Sequence, residues 1–310
     1  MGDLCIIELR ANESARRTAD RPHVPLTPDE IVADACEAAA AGASILHFHA
    51  RDPQSGRTVS DPAVIGDVAA RVRQQTGMVI HPTLGGPGDQ DPARRTLHIA
   101  QLRRDPARRA DLVPVDFGSM NFDLWDADAR RFRSDHRVYL NPRGALTEVL
   151  GRLRDLAVPV VAVCWSVGQV RTARRFQEMG LLERPFWQLF FTGPEMPDGM
   201  APTRTGLEAM VEQVPAGEPW SVALWGADAL ELATWAIELG GHVSTGLGDW
   251  RYARLGTPRN ADIVAELAQV ARGLGRTVAS AYDARELLRL PDVGTAAPHD
   301  PSISQGAHQP

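Results

Sequence analysis

The chain has 310 residues and a formal net charge of -6, and 44% of its residues are hydrophobic and 23% charged, as in an ordinary globular protein. All 33 basic residues are arginines, so the chain has no lysine for Schiff-base chemistry or for a phosphate-binding loop. The acidic balance argues against nucleic acid as a partner. Three scattered cysteines, and the lack of a signal peptide or long apolar span, predict a cytoplasmic protein with no membrane contact.

Short apolar runs alternate with helix-like stretches along the chain. Eight runs of strand length begin at Cys5, Ser44, Met78, Leu112, Val158, Phe186, Trp220 and His242. Near-continuous apolar strands between helices indicate a parallel sheet that is buried on both faces. Eight such units predict a closed (β/α)8 TIM barrel of the α/β class. An open doubly wound sheet is the alternative, weakened because no GxGxxG follows the first run.

Helix signals and composition suggest how the chain is divided. Thr27 followed by Pro28 and Glu30 predicts the start of the first helix with a capping box, and Thr257-Pro258 predicts the start of the last barrel helix in the same way. We expect residues 1–280 to form a single catalytic barrel domain, with residues 120–142 as an insertion after the fourth strand. Residues 281–310 are expected to be a flexible or subunit-contacting tail, because the part after Leu290 is rich in Pro, Gly, Ser and Ala.

The functional groups of such a barrel gather at the carboxyl ends of its strands. The second strand ends in His47-Phe48-His49, and alternation along a strand points both imidazoles the same way. Two converging imidazoles suit Zn²⁺, with a carboxylate and water completing the shell, and Glu13 after the first strand is a candidate carboxylate. The alternatives are two histidines packed in the barrel interior, and a Glu13 that forms only a salt bridge in its loop.

Other strand ends offer further candidates. Asp249, at the end of the eighth strand, is the best candidate for a general base, with helix capping as the alternative. Gly85 and Gly86, after the third strand, either let a ligand approach the backbone closely or simply make a turn.

Four segments together resemble the β-keto acid cleavage enzymes, whose best-described activity is 3-keto-5-aminohexanoate cleavage. In chain order they read TPDEIVADACEAAAAGASILHFHARDPQSG, PTLGG, DFGSMNF and GGHVSTGLGD, and the resemblance extends from about Cys5 to Arg276. It implies a (β/α)8 barrel, usually a homo-oligomer such as a dimer or tetramer, with a divalent metal that is commonly Zn²⁺. It also implies condensation of a β-keto acid with acetyl-CoA, giving acetoacetate and a new acyl-CoA.

The resemblance also assigns roles to positions of this chain. The metal histidines fall on His47 and His49, the first-strand glutamate on Glu13, and the catalytic aspartate on Asp249. The hydroxyl residue before the double glycine falls on Thr83.

In such a reaction a metal polarises the 3-keto oxygen. This polarisation activates the carbonyl group, as an iminium does in an enzyme with a catalytic lysine. Asp249 is expected to drive proton transfer. Thr83, Ser119 and Asn121 are expected to donate hydrogen bonds to developing oxyanions, and arginines at the barrel mouth to meet the CoA phosphates.

The chain also departs from the family. The strand 8 motif of the family often has an arginine and a metal-binding glutamate, where this chain has Ser244 and Gly248. We therefore hypothesise that Arg10 binds the substrate carboxylate in place of the missing arginine. Two other readings remain open: a metal-dependent TIM-barrel hydrolase, and a degenerate homologue without catalysis.

Tryptophans and missing glutamates bear on the substrate. Glutamates common at the end of strand 5 are replaced by apolar residues around Val161 and Val163, beside Trp165. We expect Trp165 to contact substrate, and the keto acid to have an apolar or neutral tail without an amine. The alternative is that the tryptophans merely pack.

Overall fold

The computed structural model describes residues 3–13, 15–52, 55–85 and 91–291. Within these residues eight parallel strands form one curved sheet. They are β1 (Ile7–Arg10), β2 (Ile45–Phe48), β3 (Val79–Pro82), β4 (Val113–Asp116), β5 (Val160–Cys164), β6 (Phe186–Thr192), β7 (Trp220–Trp225) and β8 (His242–Thr245). The order is β3-β2-β1-β8-β7-β6-β5-β4. The backbone N–H groups of Asp111 and Leu112 donate to the carbonyl of Ile80 and bridge the two outer strands. The predicted TIM barrel is confirmed.

A helix follows each strand. The helices are α1 (Pro28–Ala41), α2 (Pro62–Thr76), α3 (Pro92–Leu102), α4 (Arg143–Asp155), α5 (Val167–Glu178), α6 (Arg204–Val211), α7 (Leu230–Glu238), α8 (Asn260–Gly273) and, beyond the barrel, α9 (Ala281–Leu288). The predicted capping box is present at α1, where Glu30 N donates to Thr27 Oγ1 and Thr27 N donates to Glu30 Oε2. No helix within the described ranges has the length and hydrophobicity to cross a membrane.

The start of α8 differs from the prediction. The helix begins at Asn260 after Arg259 as its N-cap, rather than at Thr257-Pro258. Asn260 is fully buried, accepts from the backbone N–H of Leu247 at 2.7 Å and donates to the carbonyl of Ala11 at 3.1 Å. This polar contact ties α8 to the ends of β1 and β8, and it fixes the helix start more strongly than the Thr-Pro signal.

Alternation along β1 explains how the barrel interior becomes polar near its mouth. Ile7 and Leu9 face outwards into the layer packed against the helices, whereas Glu8 and Arg10 point inwards. Glu8 lies beside Ser244 of β8, and Arg10 lies beside His47 of β2. Polar side chains of neighbouring strands thereby lie side by side inside the barrel.

Two additions close the ends of the barrel. In the insertion after β4, Met120–Asn121 pairs with Val138–Tyr139, and Trp125–Asp126 pairs with Arg131–Phe132. At the opposite end Leu4–Cys5 pairs with Thr277–Val278, and α9 packs beneath the floor of the barrel. The segment expected to be a tail thus begins with a docked helix, and residues 292–310 lie outside the described ranges.

Candidate active site

Glu13, His47 and His49 meet at the carboxyl end of the barrel. His47 Nε2 lies 2.9 Å from Glu13 Oε1, and His49 Nε2 lies 3.0 Å from Glu13 Oε2. One ligand atom from each of the three residues lies within 4.8 Å of the others. The two imidazoles point the same way, as the His-x-His spacing predicts, and the loop after β1 brings the carboxylate to them.

The loop after β1 has an unusual backbone conformation that places the Glu13 side chain beside His47 and His49. Glu13 has a φ of 37°, in the left-handed region that non-glycine residues rarely occupy. The Arg51 guanidinium donates to the carbonyls of Asn12, Glu13 and Ala15, which holds this turn in place. The Asn12 amide donates to the carbonyl of His49 and accepts from its N–H. Arg51 and Asn12 therefore position the cluster, and sequence reasoning missed both.

Gly248 leaves the space that Glu13 uses. A Cβ at position 248 would lie 2.7 Å from Glu13 Cγ and 2.8 Å from Glu13 N, closer than real Cβ contacts. The position at which the family resemblance leads one to expect a glutamate is thus closed to any side chain. A carboxylate from the β1 loop occupies the region instead, so the altered motif does not leave the histidines without an acidic neighbour.

The donor set fits a divalent cation. His47 Nδ1 lies 2.8 Å from the carbonyl of His81 and must donate to it, so in the neutral imidazole Nε2 is left with a lone pair facing a Glu13 oxygen. Burial lowers the pKa of His47 to about 4 despite the nearby carboxylate, which favours this neutral form. Two lone pairs in contact repel each other unless a cation lies between them. Two imidazole nitrogens and a carboxylate form a set typical of catalytic zinc.

Arg10 links the cluster to Asp249. Its Nε donates to Asp249 Oδ2 at 2.7 Å, Nη2 lies 2.9 Å from Glu13 Oε1, and Nη1 donates to Gln188 Oε1 at 3.3 Å. Burial works against its charge, but Asp249, Glu13 and the deeper Glu8 outweigh burial and raise the pKa of Arg10. A guanidinium has five N–H donors, so two remain for a ligand.

Asp249 has the environment of a proton acceptor. Burial raises its pKa to about 7, Arg10 opposes the rise, and the charge of Glu13 adds to it. Oδ2 is held by Arg10, whereas Oδ1 is buried and has no hydrogen-bond partner among the described residues. A carboxylate with one oxygen fixed and the other free in a cavity suits a general base.

A buried polar network lies below the cluster. Glu8 Oε1 is 2.5 Å from His81 Nδ1, and Glu8 Oε2 accepts from Gln188 Nε2 at 2.8 Å and from Ser244 Oγ at 2.5 Å. Burial opposes ionisation, yet His81, His47 and the hydrogen bond from Ser244 together outweigh burial and lower the pKa of Glu8 to about 2. Glu8 orients the Gln188 amide so that its oxygen faces Arg10. Ser244 therefore supports Arg10 indirectly, through Glu8.

These groups open into a cavity of about 360 Å³. Its lining includes Thr83 and Gly85 from the end of β3, Asp116, and a wall of aromatic side chains. From the groups described above it includes Arg10, Glu13, His47, His49, Gln188 and Asp249. The wall comprises Phe122, Tyr139, Trp165, Phe190 and Trp225. A neighbouring cavity of about 880 Å³ shares Arg137, Trp225 and Asp249 with it and is lined by further arginines, namely Arg16, Arg21, Arg133 and Arg251.

Of the other residues proposed from the sequence, some line the cavity and others do not. Thr83 is buried, and its hydroxyl contacts the backbone of Gly85, whose φ is 120°. Ser119 and Asn121 are exposed and do not line the cavity: Ser119 Oγ accepts from Asn141 N, and the Asn121 amide donates to Asp198. Their expected hydrogen bonds to reacting oxygens have no support in this geometry, because the chain turns outwards after β4. Gly86 lies outside the described residues.

Comparison with known proteins identifies the family of this chain. The model of the family described as "beta-keto acid cleavage enzyme" matches residues 5–290. The chain belongs to that family. The reaction class expected from the sequence, cleavage of a β-keto acid, is thereby confirmed, and the hydrolase reading is set aside.

Several curated relatives are similar over most of their length. The 3-keto-5-aminohexanoate cleavage enzyme of Fusobacterium nucleatum subsp. nucleatum is 27% identical over 87% of this chain and 92% of its own. The 3-dehydrocarnitine:acetyl-CoA trimethylamine transferase of Rhizobium meliloti is 28% identical over 86% and 90%. The 3-oxoadipate:acetyl-CoA acetyltransferase of Cupriavidus necator is 29% identical over 93% and 96%.

A solved structure supports the fold. The apo structure of ObcA superposes with a TM-score of 0.68 at 16% identity, covering 87% of this chain and 66% of the ObcA chain. This likeness concerns the barrel alone.

Proposed function

We propose that this enzyme condenses a β-keto acid with acetyl-CoA, giving acetoacetate and the acyl-CoA of the remaining keto fragment, with the help of a divalent metal. The observation that carries the proposal is the convergence of Glu13, His47 and His49 with the Arg10–Asp249 pair in one cavity. The names of two relatives, an acetyl-CoA acetyltransferase and an acetyl-CoA trimethylamine transferase, support acetyl-CoA as the co-substrate. Zn²⁺ is the metal we favour, because two imidazoles and one carboxylate suit it.

Arg10 would bind the carboxylate of the keto acid. Its Nη1 and Nη2 each keep one N–H after the contacts to Gln188 and Glu13, and two parallel N–H groups match a carboxylate in bidentate geometry. The Glu8–Gln188 network fixes the plane of the guanidinium. A carboxylate bound there would sit beside both Asp249 and the metal cluster.

Asp249 would remove the proton from the carbon between the two carbonyls of the keto acid. A metal at Glu13, His47 and His49 would polarise the 3-keto oxygen and make that proton more acidic. Asp249 Oδ1 receives the proton, and Thr83 offers its hydroxyl to the oxygens that gain charge. The deprotonated carbon attacks the acetyl carbonyl of acetyl-CoA and releases the CoA thiolate. The thiolate then attacks the former 3-keto carbon, and the bond from that carbon to the deprotonated carbon breaks, which gives the acyl-CoA. The proton held by Asp249 returns to the same carbon, which is now the CH2 of acetoacetate, so every atom of the two substrates is recovered in the two products.

CoA would lie across the mouth of the barrel. The larger cavity that opens beside Asp249 is lined by five arginines, including Arg137, which also lines the smaller one. Guanidinium groups suit phosphate oxygens. This cavity lies where the pantetheine arm could place its thioester beside Asp249.

The direct test is to incubate the purified protein with acetyl-CoA and a panel of β-keto acids, and to follow CoA esters by mass spectrometry. We expect a new acyl-CoA and acetoacetate in equal amounts. Omitting acetyl-CoA should stop keto-acid consumption. Consumption that continues without acetyl-CoA would indicate a hydrolase, and no product across the panel would indicate a degenerate homologue.

Arg10→Ala should raise KM for the keto acid by roughly 10- to 100-fold, because hydrogen bonds to a charged group are lost. The variant also leaves Glu13 and Asp249 buried without their cation, which should cost about 3–5 kcal/mol of folding free energy. Steady-state kinetics and thermal unfolding measure the two effects. Arg10→Lys is the control variant, because it keeps the positive charge but loses the paired N–H groups of the guanidinium. An unchanged KM in a folded Arg10→Ala protein would remove Arg10 from substrate binding.

Two predictions from the sequence accompany this function. We propose that the protein is cytoplasmic, from its three unpaired cysteines, and that it assembles as a dimer or tetramer, from the family resemblance. Light scattering of the purified protein would measure the assembly.

A further inference from the structure

We propose that Asp116 and the aromatic wall around it form a subsite for a cationic group on the tail of the keto acid, such as an ammonium or a quaternary ammonium. The inference rests on the proposed function, since it concerns the tail of the same substrate. It assigns a specificity-determining role to Asp116, which sequence reasoning did not single out.

Asp116 is the last residue of β4 and points into the cavity. The Trp165 indole N–H donates to Oδ1 at 2.7 Å, and the Tyr139 hydroxyl donates to Oδ2 at 2.7 Å. Both donors are neutral, so they fix the carboxylate without cancelling its charge. Each oxygen keeps acceptor capacity for a third partner.

Among the cavity-lining carboxylates in the described part of the chain, Asp116 alone makes no ion pair. Glu13 and Asp249 both contact Arg10. Burial raises the pKa of Asp116, whereas the hydrogen bonds from Trp165 and Tyr139 and the more distant charges of Arg95 and Arg10 act to lower it. A carboxylate removed from water in this way gains much from a cationic ligand.

Aromatic rings surround the same place. Trp165 stacks on Phe190 with ring centroids 3.9 Å apart, and Phe122 and Tyr139 from the insertion lie 6.4 Å apart. Aromatic faces attract cations, and alkylammonium groups most clearly, because the ring face is negative. A carboxylate flanked by such rings recognises both the charge and the apolar surface of an alkylammonium group.

The remaining charges divide the cavity into two ends. Arg10, beyond Phe190, would hold the acidic end of the substrate, and its guanidinium carbon lies 5.0 Å from the Phe190 ring centre. Arg137 is an exposed residue that also lines the cavity, and its guanidinium carbon lies 5.6 Å from the Phe122 ring centre. A keto acid that carries a carboxylate at one end and a cation at the other matches this arrangement.

This inference reverses the expectation of a neutral tail. That expectation followed from the apolar residues on β5, such as Val163. The acidic group of the tail region lies instead on the neighbouring strand β4, which pairs with β5 in the register Val163 to Asp116.

The test compares isosteric substrates. 5-Amino-3-oxohexanoate and 5-methyl-3-oxohexanoate differ by an ammonium in place of a methyl group, and 4-trimethylammonio-3-oxobutanoate and 5,5-dimethyl-3-oxohexanoate differ by nitrogen in place of carbon. We expect kcat/KM to favour the cationic member of at least one pair by roughly 10- to 100-fold. Asp116→Asn should reduce that preference to less than about threefold while turnover of the neutral member persists. Asp128→Asn, exposed in the same insertion, should leave the preference unchanged.

A binding experiment with unreactive ligands tests the subsite independently of catalysis. Calorimetry with 4-trimethylammoniobutanoate and with 5,5-dimethylhexanoate, which lack the keto group, should show the same preference and the same loss in Asp116→Asn. Preference for the neutral members, preference for 3-oxoadipate, or an Asp116→Asn protein with unaltered selectivity would overturn the subsite. Selective binding of the cation without formation of any acyl-CoA would instead support the subsite and contradict the proposed function.

Discussion

Glu13→Gln is expected to abolish turnover and to strip the metal from the purified protein. The substitution keeps the shape of the side chain but removes the anionic ligand that lies 2.9 Å from His47 Nε2 and 3.0 Å from His49 Nε2. Loss of a direct ligand should weaken metal binding by more than the roughly 10- to 100-fold that outer partners typically contribute. Elemental analysis and the CoA-ester assay on the same preparation measure both effects.

The matched control is Glu231→Gln, an exposed glutamate in the first turn of α7. It should keep wild-type metal content and activity. If Glu13→Gln is folded, contains stoichiometric metal and turns over normally, Glu13 is not a ligand and its contacts with the histidines are only structural.

Asp249→Asn is expected to lower kcat by roughly 10²- to 10⁴-fold, the usual contribution of a general base. The amide can still contact Arg10 through its oxygen but cannot accept a proton. KM should change much less, because Arg10 remains in place to bind the carboxylate. A loss confined to KM would show that Asp249 serves binding rather than proton transfer.

The pH profile gives the same assignment an independent test. A base acts when deprotonated, so kcat/KM should rise with pH and level off above the pKa of Asp249. Burial raises that pKa to about 7, and a divalent cation bound at Glu13 would bring it down, so the acid limb should lie at or below about pH 7. In Asp249→Asn this limb should disappear from the residual activity.

The strand repeat and the His-x-His motif contain enough information to predict the barrel and the convergence of two of the three residues in the candidate metal cluster. Burial of each strand on two faces leaves a long apolar run, and a two-residue spacing on a strand fixes a common direction. The orientation of His47 and His49 follows from local geometry alone. Asp249 is a candidate from the sequence for a related reason, because strand ends form the mouth of the barrel, and it lines the cavity.

The remaining parts depend on contacts distant in sequence. Arg10 and Asp249 come together because β1 pairs with β8. The left-handed turn at Glu13 depends on Arg51, which lies nearly forty residues away in the sequence. The sequence does not single out Asp116, because only the fold brings Tyr139 and Trp165 to its two oxygens. Ser119 and Asn121 follow the end of β4, but the chain turns away from the mouth there, so a place after a strand end does not ensure that a side chain lines the cavity.

The central claim is that a metal held by Glu13, His47 and His49 is required for transfer of the acyl group to CoA. The most direct measurement is the rate of new acyl-CoA formation from acetyl-CoA and a β-keto acid before chelation, after chelation, and after Zn²⁺ is restored. We predict that chelation stops product formation and that stoichiometric Zn²⁺ restores it in the wild type but not in His47→Ala. Undiminished acyl-CoA formation by protein shown to be metal-free would contradict the account.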